Sequence, residues 1–400
     1  MNRPSCSPTD TPEQSIPVPL LDVARQNDPL SEEITAAIGR VVASGHFLFG
    51  PDCSEFEQEM AEYCHTKHAV ACASGSDALL LALMANEIGQ GDEVILPSFT
   101  FFATAGAVSR LGAIPVFADI DPVTFQIDPQ QIEKLITPAT KAIIPVHLFG
   151  ACADMTAICG IALDHQIPII EDAAQAIGAE HLGRRAGSLG QVGCFSFYPT
   201  KNLGGMGDGG ILTTDDEPLA ARLRILRDHG QSPRYHHSLV GINSRLDSIQ
   251  AAVLRIKLRH LDDWTTMRDH NAQVYTKLLA EHAGKHSVVC PTTNDESRHV
   301  WNQYTIRVPQ ASRDALQAHL GSARIGSAIY YPIPLHLQEC FASLGYAPGS
   351  LPESERAAKE VLSLPIFPEL SEAELQTVAA EVRRFFSQAQ TVAKQADRAA

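Results

Sequence analysis

The chain has 400 residues, of which 44% are hydrophobic and 19% charged, with a net charge of −15. That length is too great for one small core and suits two domains that share an interface. The acidic balance, with no basic stripe, excludes nucleic acid and anionic membrane as expected partners, while a local group of arginine and backbone N–H donors could still hold a small anion.

No stretch approaches the roughly 18–20 apolar residues that span a bilayer. The opening MNRPSCSPTDTPEQSIPVP has no apolar core of the kind a signal peptide needs, so residues 1–17 are expected to be a disordered lead-in. The 9 cysteines contain no C-x-x-C pair and several lie among apolar neighbours, as in Gly193-Cys194-Phe195. They read as reduced thiols used as small core residues, which points to a cytoplasmic setting and to no metal site.

Asp28-Pro29 predicts an N-cap and first-turn pair for a helix over 30–43, expected to pack with the smaller of the two units. From about residue 70 strands and helices alternate. Ala69–Ala73 is followed by a helix with Leu79, Leu80, Leu83 and Met84 on its apolar face. Strands are predicted at Glu93–Leu96, Ile114–Asp119, Ala142–Val146, Ile167–Glu171, Cys194–Phe197 and Ile211–Thr213, with helices around 100–110, 130–136 and 154–165. This alternation implies crossover connections, hence α/β architecture with a largely parallel central sheet covered on both faces. Ligands in such sheets gather at the carboxyl ends of the strands. Beyond Asn243 one long helix is predicted from Arg245 to about His270, with Leu246, Ile249, Val253 and Ile256 on one stripe. Trp301–Val308, Ser312–Leu320, Ile329–Tyr331 and Glu372–Ser387 read as a smaller α+β unit. The expected division is a large domain over 45–255 and a small one from 18–44 with 256–390.

Four segments carry chemistry. Lys201, in FSFYPTKNLGGMGDGG, follows a strand and precedes clustered glycines. Alone it would be read as a surface lysine, but a shielded amine there can attack a carbonyl, and glycines let backbone close around a flat ligand. Asp172, in IIEDAAQA, stands where an apolar strand ends and can keep a pyridine nitrogen protonated; the plainer reading is a helix-starting aspartate. Gln175 lies three residues on. The Ala73-Ser74-Gly75-Ser76-Asp77 turn offers backbone N–H groups and a hydroxyl to a phosphate, and it is neither a Walker A nor a dinucleotide motif. Phe101, in PSFTF, could stack on a ring or belong to the core. One pyridoxal 5′-phosphate (PLP) molecule needs all four elements, and each follows a strand.

SGSDALLLAL, GDEVILPSFTFFATA, IPVHLFG, IEDAAQAIGA, GCFSFYPTKNLGGMGDGG, GINSRLDSIQAAV and YYPIPLHLQ together resemble the DegT/DnrJ/StrS family of PLP-dependent sugar aminotransferases, over about residues 18–385. The resemblance implies fold-type I, with Lys201 forming the Schiff base, Asp172 pairing with the ring nitrogen, Phe101 stacking and Gln175 facing O3′. It implies Gly75, Ser76 and Ser196 around the phosphate, and Asn243 reaching that phosphate from the partner of a homodimer. His147, Arg245, Tyr331 and His336 fall in segments that face the substrate in similar proteins. Phe101 stands where many relatives carry Tyr or Trp, and Tyr330 precedes Tyr331 where His-Tyr is common. The implied reaction turns a nucleotide-linked keto-sugar into an amino-sugar with glutamate as donor. Carbon 3 is expected because GINSRLDSIQAA and YYPIPLHLQ resemble carbon-3 enzymes. Two rivals stay open: a PLP-dependent sugar dehydratase, in which histidine replaces the lysine, and a regulatory protein that binds PLP without turnover.

Overall fold

A computed structural model describes residues 17–280, 288–293 and 297–399, so the expected lead-in over 1–17 lies outside the described residues apart from Pro17. A short helix, α1 (Val23–Asn27), is capped by Asp22, whose carboxylate accepts from the N–H groups of Ala24 and Arg25. Asp28 is not an N-cap. Asp28–Leu30 form a 3-10 turn containing Pro29, which runs into α2 (Ser31–Ser44) with no side-chain cap. After α3 (Pro51–Cys64) come β1 (His68–Cys72), α4 (Gly75–Ala85), β2 (Glu93–Pro97), α5 (Ala103–Arg110) and β3 (Ile114–Ala118). The chain continues through α6 (Pro129–Leu135), β4 (Thr140–Ile143), α7 (Met155–His165) and β5 (Ile170–Asp172). A small hairpin, β6 (Glu180–His181) and β7 (Arg184–Arg185), precedes β8 (Val192–Ser196), β9 (Gly210–Thr214) and α8 (Glu217–Leu226).

The strands are hydrogen-bonded in the order β1-β9-β8-β5 and, separately, β3-β2-β4. Isolated parallel bridges at Ile143–Ile169 and Val146–Asp172 join the two groups into one layer. Among these strands β9 alone runs antiparallel to its neighbours, so the largely parallel sheet expected from the alternation is what forms. Side chains alternate between its faces. Val70, Cys72, Cys194 and Leu212 meet α4, α5 and α8, whereas Ala69, Ala71, Phe195 and Ile211 meet α3 and the later helix α9 (Ser248–Leu258). Helix α4 is apolar nearly all round because the sheet and other helices cover it. Burying its Leu79, Leu81 and Leu83 contributes roughly 1.5–3 kcal/mol each.

The single helix predicted over 245–270 is two, α9 and α10 (Leu261–Ala280), with a turn at Arg259–His260. Ile34, Ala37 and Val41 of α2 lie on Ala252, Val253 and Ile256 of α9, astride the expected domain boundary, and Glu33 pairs with Arg259 just beyond it. The segment before α2 also joins the smaller unit, through a Val18–Ile325 bridge and an Arg25–Glu374 ion pair. The smaller core unites α10 with β11 (Tyr304–Arg307), α11 (Gln310–Ser322), β12 (Val361–Leu364) and α13 (Glu372–Ala399) around Tyr275, Trp301, Tyr304 and Phe367. Between α11 and β12 lies α12 (Pro352–Glu360), and β10 (Ser297–Arg298) pairs with β6. No strand forms at Ile329–Tyr331; the neighbouring Ala328 makes only a bridge to Ser363.

Candidate active site

Lys201 stands five residues beyond the end of β8, on a loop fixed from several sides. Its neighbour Asn202 is buried, donates to the carbonyl of Val300 at 2.7 Å and accepts from Asn302 at 2.7 Å. Lys257 of α9 donates to the Gly204 carbonyl at 2.6 Å, and the Met206 N–H donates to Gln250 Oε1. On this clamped loop the Lys201 ammonium has no hydrogen-bond or ion-pair partner among the described residues. Burial pushes its pKa down to about 8, against the opposing pull of the Asp172 carboxylate. A lysine in that state is within easy reach of the neutral, nucleophilic amine.

Asp172 ends β5, next to β8 in the sheet. It is buried, its Oδ2 accepts from the Thr104 hydroxyl at 2.7 Å, and its Oδ1 accepts from the Ala174 N–H at 3.2 Å. Burial pushes this carboxyl up, while Thr104, Ala174 and the charge of Lys201 pull the other way. Gln175 accepts from the Phe149 N–H at 2.7 Å and donates to the Tyr331 hydroxyl at 3.1 Å. Tyr331 in turn lies 6.0 Å, centroid to centroid, from the exposed ring of Phe101.

The turn between β1 and α4 is capped by Ser74, whose Oγ accepts from the Asp77 N–H, leaving the first-turn amides of Gly75 and Ser76 without helical acceptors. A Cβ on Gly75 would lie 2.5 Å from Cβ of Ser196, and one on Gly210 would lie 2.4 Å from the carbonyl of Ser74. Bare backbone is therefore required for the turn and the end of β8 to meet. That cradle of N–H groups and serine hydroxyls fits a phosphate, and the same strand ends carry an exposed aromatic, a buried carboxylate and an amine with no partner among the described residues. The residues present fit PLP.

Asn243 is exposed. Its neighbour Ser244 faces the other way, donating to Asp77 Oδ2 at 2.8 Å and accepting from the Ala73 N–H at 3.1 Å of the same chain. Arg245 is half-buried and donates to Asp228. Two of the expected substrate contacts do not fit that role. His147 is fully buried, its Nδ1 accepting from the Ala153 N–H and its Nε2 donating to Glu171 at 2.9 Å. His336 is buried between Ser98 Oγ at 2.6 Å and Glu355 at 3.2 Å. Both histidines are structural ties behind the site. Thr104, which touches Asp172, went unnoticed in the sequence; the only signal was its position one helical turn after Phe101.

A lysine and a carboxylate at adjacent strand ends, over a phosphate-binding helix start in a mostly parallel sheet, define a pyridoxal-phosphate enzyme of fold-type I. A model of the DegT/DnrJ/EryC1/StrS aminotransferase family matches residues 28–383, and the chain belongs to that family. The chain is 52% identical over 92% of its length to a Geobacillus stearothermophilus "pleiotropic regulatory protein", covering 98% of that protein. It is 46% identical to the UDP-N-acetyl-3-dehydro-alpha-D-glucosamine 3-aminotransferase of Acidithiobacillus ferrooxidans, over 93% of this chain and 98% of that one. Among solved structures, S. venezuelae DesV in complex with a ketimine intermediate superposes with a TM-score of 0.89 at 46% identity, covering 92% of this chain and 98% of the other. NtdA from Bacillus subtilis, with bound cofactor PMP, gives 0.88 at 34% identity, with 95% and 87% covered. The chain is a PLP-dependent transaminase.

Proposed function

We propose that this chain aminates carbon 3 of a nucleotide-linked keto-sugar, taking the amino group from glutamate. The observation that carries the reading is Lys201, a half-buried amine with a pKa near 8, set beside a buried carboxylate at the next strand end. Bound PLP supplies an electron sink that stabilises negative charge developing on the substrate carbon. Lys201 would hold the cofactor and, once its amine is free, would take the proton from the substrate carbon as base and return it as acid. Asp172 keeps the ring nitrogen protonated, and Gly75, Ser76 and Ser196 anchor the phosphate. Gln175 and Tyr331, hydrogen-bonded to each other, would meet O3′ and the sugar. The nucleotide would contribute binding remote from the reacting carbon. Relatives named for carbon-3 amination support the regiochemistry.

The working unit in this reading is a homodimer. Phe47, Leu48, Phe49 and Met206 are each 41% exposed or more, and Val240 is 91% exposed. They border the 243–250 segment, since Ser248 donates to the Phe47 carbonyl, Leu48 bridges Asp247 and Met206 donates to Gln250. An apolar surface of this kind marks an interface. Asn243, turned outward on the same segment, would enter the partner's site.

A regulatory protein that holds PLP without turnover is the second reading, favoured by the name of the 52% identical relative. One experiment decides. The purified holoenzyme is mixed with glutamate, and conversion of the cofactor to its pyridoxamine form is followed by absorbance, then its reversal by nucleotide-linked 3-keto-sugars. Full conversion and reversal are expected. No conversion with glutamate or other amino donors would leave the regulatory reading standing; reversal only by 4-keto-sugars would move the amination to carbon 4.

A further inference from the structure

We propose that Thr104 is a positioning residue for the ring nitrogen of the cofactor, its hydroxyl holding Oδ2 of Asp172 so that the carboxylate stays ionised and aimed. This rests on the reading of Asp172 as the ring-nitrogen partner. Thr104 is fully buried, so its one hydroxyl proton must find an acceptor inside the protein. Three oxygens are in range, the Thr100 hydroxyl at 3.5 Å, the Phe101 carbonyl at 3.3 Å and Asp172 Oδ2 at 2.7 Å. The closest is also the charged one, and a hydrogen bond to a charged acceptor is the strongest. Among the described residues no other donor reaches Oδ2.

With Ala174 N–H on Oδ1 and Thr104 on Oδ2, the carboxylate cannot turn about its Cβ–Cγ bond without losing a partner. Burial alone pushes the Asp172 carboxyl up, and Thr104 is the foremost group opposing it. The other titratable groups facing Asp172 are Lys201 from the loop after β8, His147 from the segment after β4, Tyr331, and Cys194 on β8. None of them hydrogen-bonds the carboxylate. Glu171, adjacent in sequence, points to the opposite face of β5, where the N–H groups of Gly187, Leu189 and Gly190 and the His147 ring hold it. The placement has a second effect. Phe101, two residues before α5, and Thr104, in its first turn, are three residues apart, so one short stretch delivers both the stacking aromatic and the donor that steadies Asp172.

One proton is shared between the ring nitrogen and Asp172. A hydrogen bond donated to the carboxylate favours the arrangement with that proton on nitrogen; losing it lets the proton move onto Asp172. The test uses holoenzyme loaded with PLP carrying 15N at the ring nitrogen, comparing wild type, Thr104→Val, Thr104→Ala, Thr104→Ser and Asp172→Asn. At neutral pH the wild-type and Thr104→Ser nitrogens should give the protonated chemical shift. The Thr104→Val and Thr104→Ala signals should move toward neutral pyridine, with the glutamate half-reaction slowed roughly tenfold or more. Two donor-free variants are included so that a folding or loading defect in one leaves the other to decide. If both keep the wild-type shift and rates within about twofold while Asp172→Asn loses the protonated signal, the proposal for Thr104 is overturned and Asp172 stands. If Asp172→Asn keeps the protonated signal too, the parent assignment has failed. A Thr104→Ser variant that behaves like Thr104→Val would also count against the hydroxyl.

Discussion

Lys201, half-buried, and Lys257, fully buried, are both pushed down to about 8 by desolvation, and a pKa alone would not separate them. Geometry does, because Lys257 Nζ is committed to the Gly204 carbonyl whereas Lys201, on the loop beyond β8, has no hydrogen-bond or ion-pair partner among the described residues. Below its pKa the neutral fraction of an amine rises tenfold per pH unit, and above it levels off. Capture of PLP by cofactor-free protein should therefore accelerate up to about pH 8 and then flatten, where an ordinary lysine would keep accelerating toward ~10.4. Stopped-flow absorbance measures this, and borohydride reduction with peptide mapping should place the label on Lys201. A rate still climbing at pH 9.5, or a label on Lys257, would contradict the assignment. The placement of Lys201, Asp172 and Gln175 at or just beyond strand ends of the sheet was legible because strand order alone exposes such positions. The burial of His147 and His336 was not legible because their partners come from other elements: Glu171 lies 24 residues from His147, and Ser98 lies 238 residues from His336. A histidine in a promising segment looks the same in sequence whether its nitrogens are free or spoken for.

At the level of elements, type and order were readable and ends were not. Helix α9 and helix α10 both carry apolar residues at helical spacing, and no proline or glycine marks the turn at Arg259–His260, so the pattern ran straight through it. The cap of α12 was equally hidden. Its own N-cap residue, Leu351, has no polar side chain, and the helix start is held from the end of β3 instead. Asp119 accepts from the N–H groups of Glu353 and Ser354 and from the Ser354 hydroxyl at 2.7–2.9 Å. Asp119→Ala should cost about 1–2 kcal/mol of stability, with Asp119→Asn losing less because it keeps an acceptor. Denaturant unfolding checks this; an alanine variant as stable as wild type would mean the cap is dispensable.

For the whole molecule, a dimer with shared sites predicts complementation. Lys201→Ala and an inactive Asn243 variant, each dead alone, are mixed under conditions that exchange subunits. Every mixed dimer then holds one site with both defects and one with neither, and about half the dimers are mixed, so activity should return to roughly a quarter of wild type. Exchange confirmed by mass with no recovered activity would rule the shared site out. The strand order bears on how the molecule comes into being. His68 at the start of β1 pairs with Thr214 at the end of β9, so the first strand made has no neighbour until the last strand of the sheet is available. Pairings this distant in sequence close slowly, and an unpartnered apolar strand invites aggregation meanwhile. The phosphate turn that follows β1 shares this delay, because it is completed by Ser196 and by the approach of Gly210. A growing chain would thus be unable to take up its cofactor until more than half of it had left the ribosome.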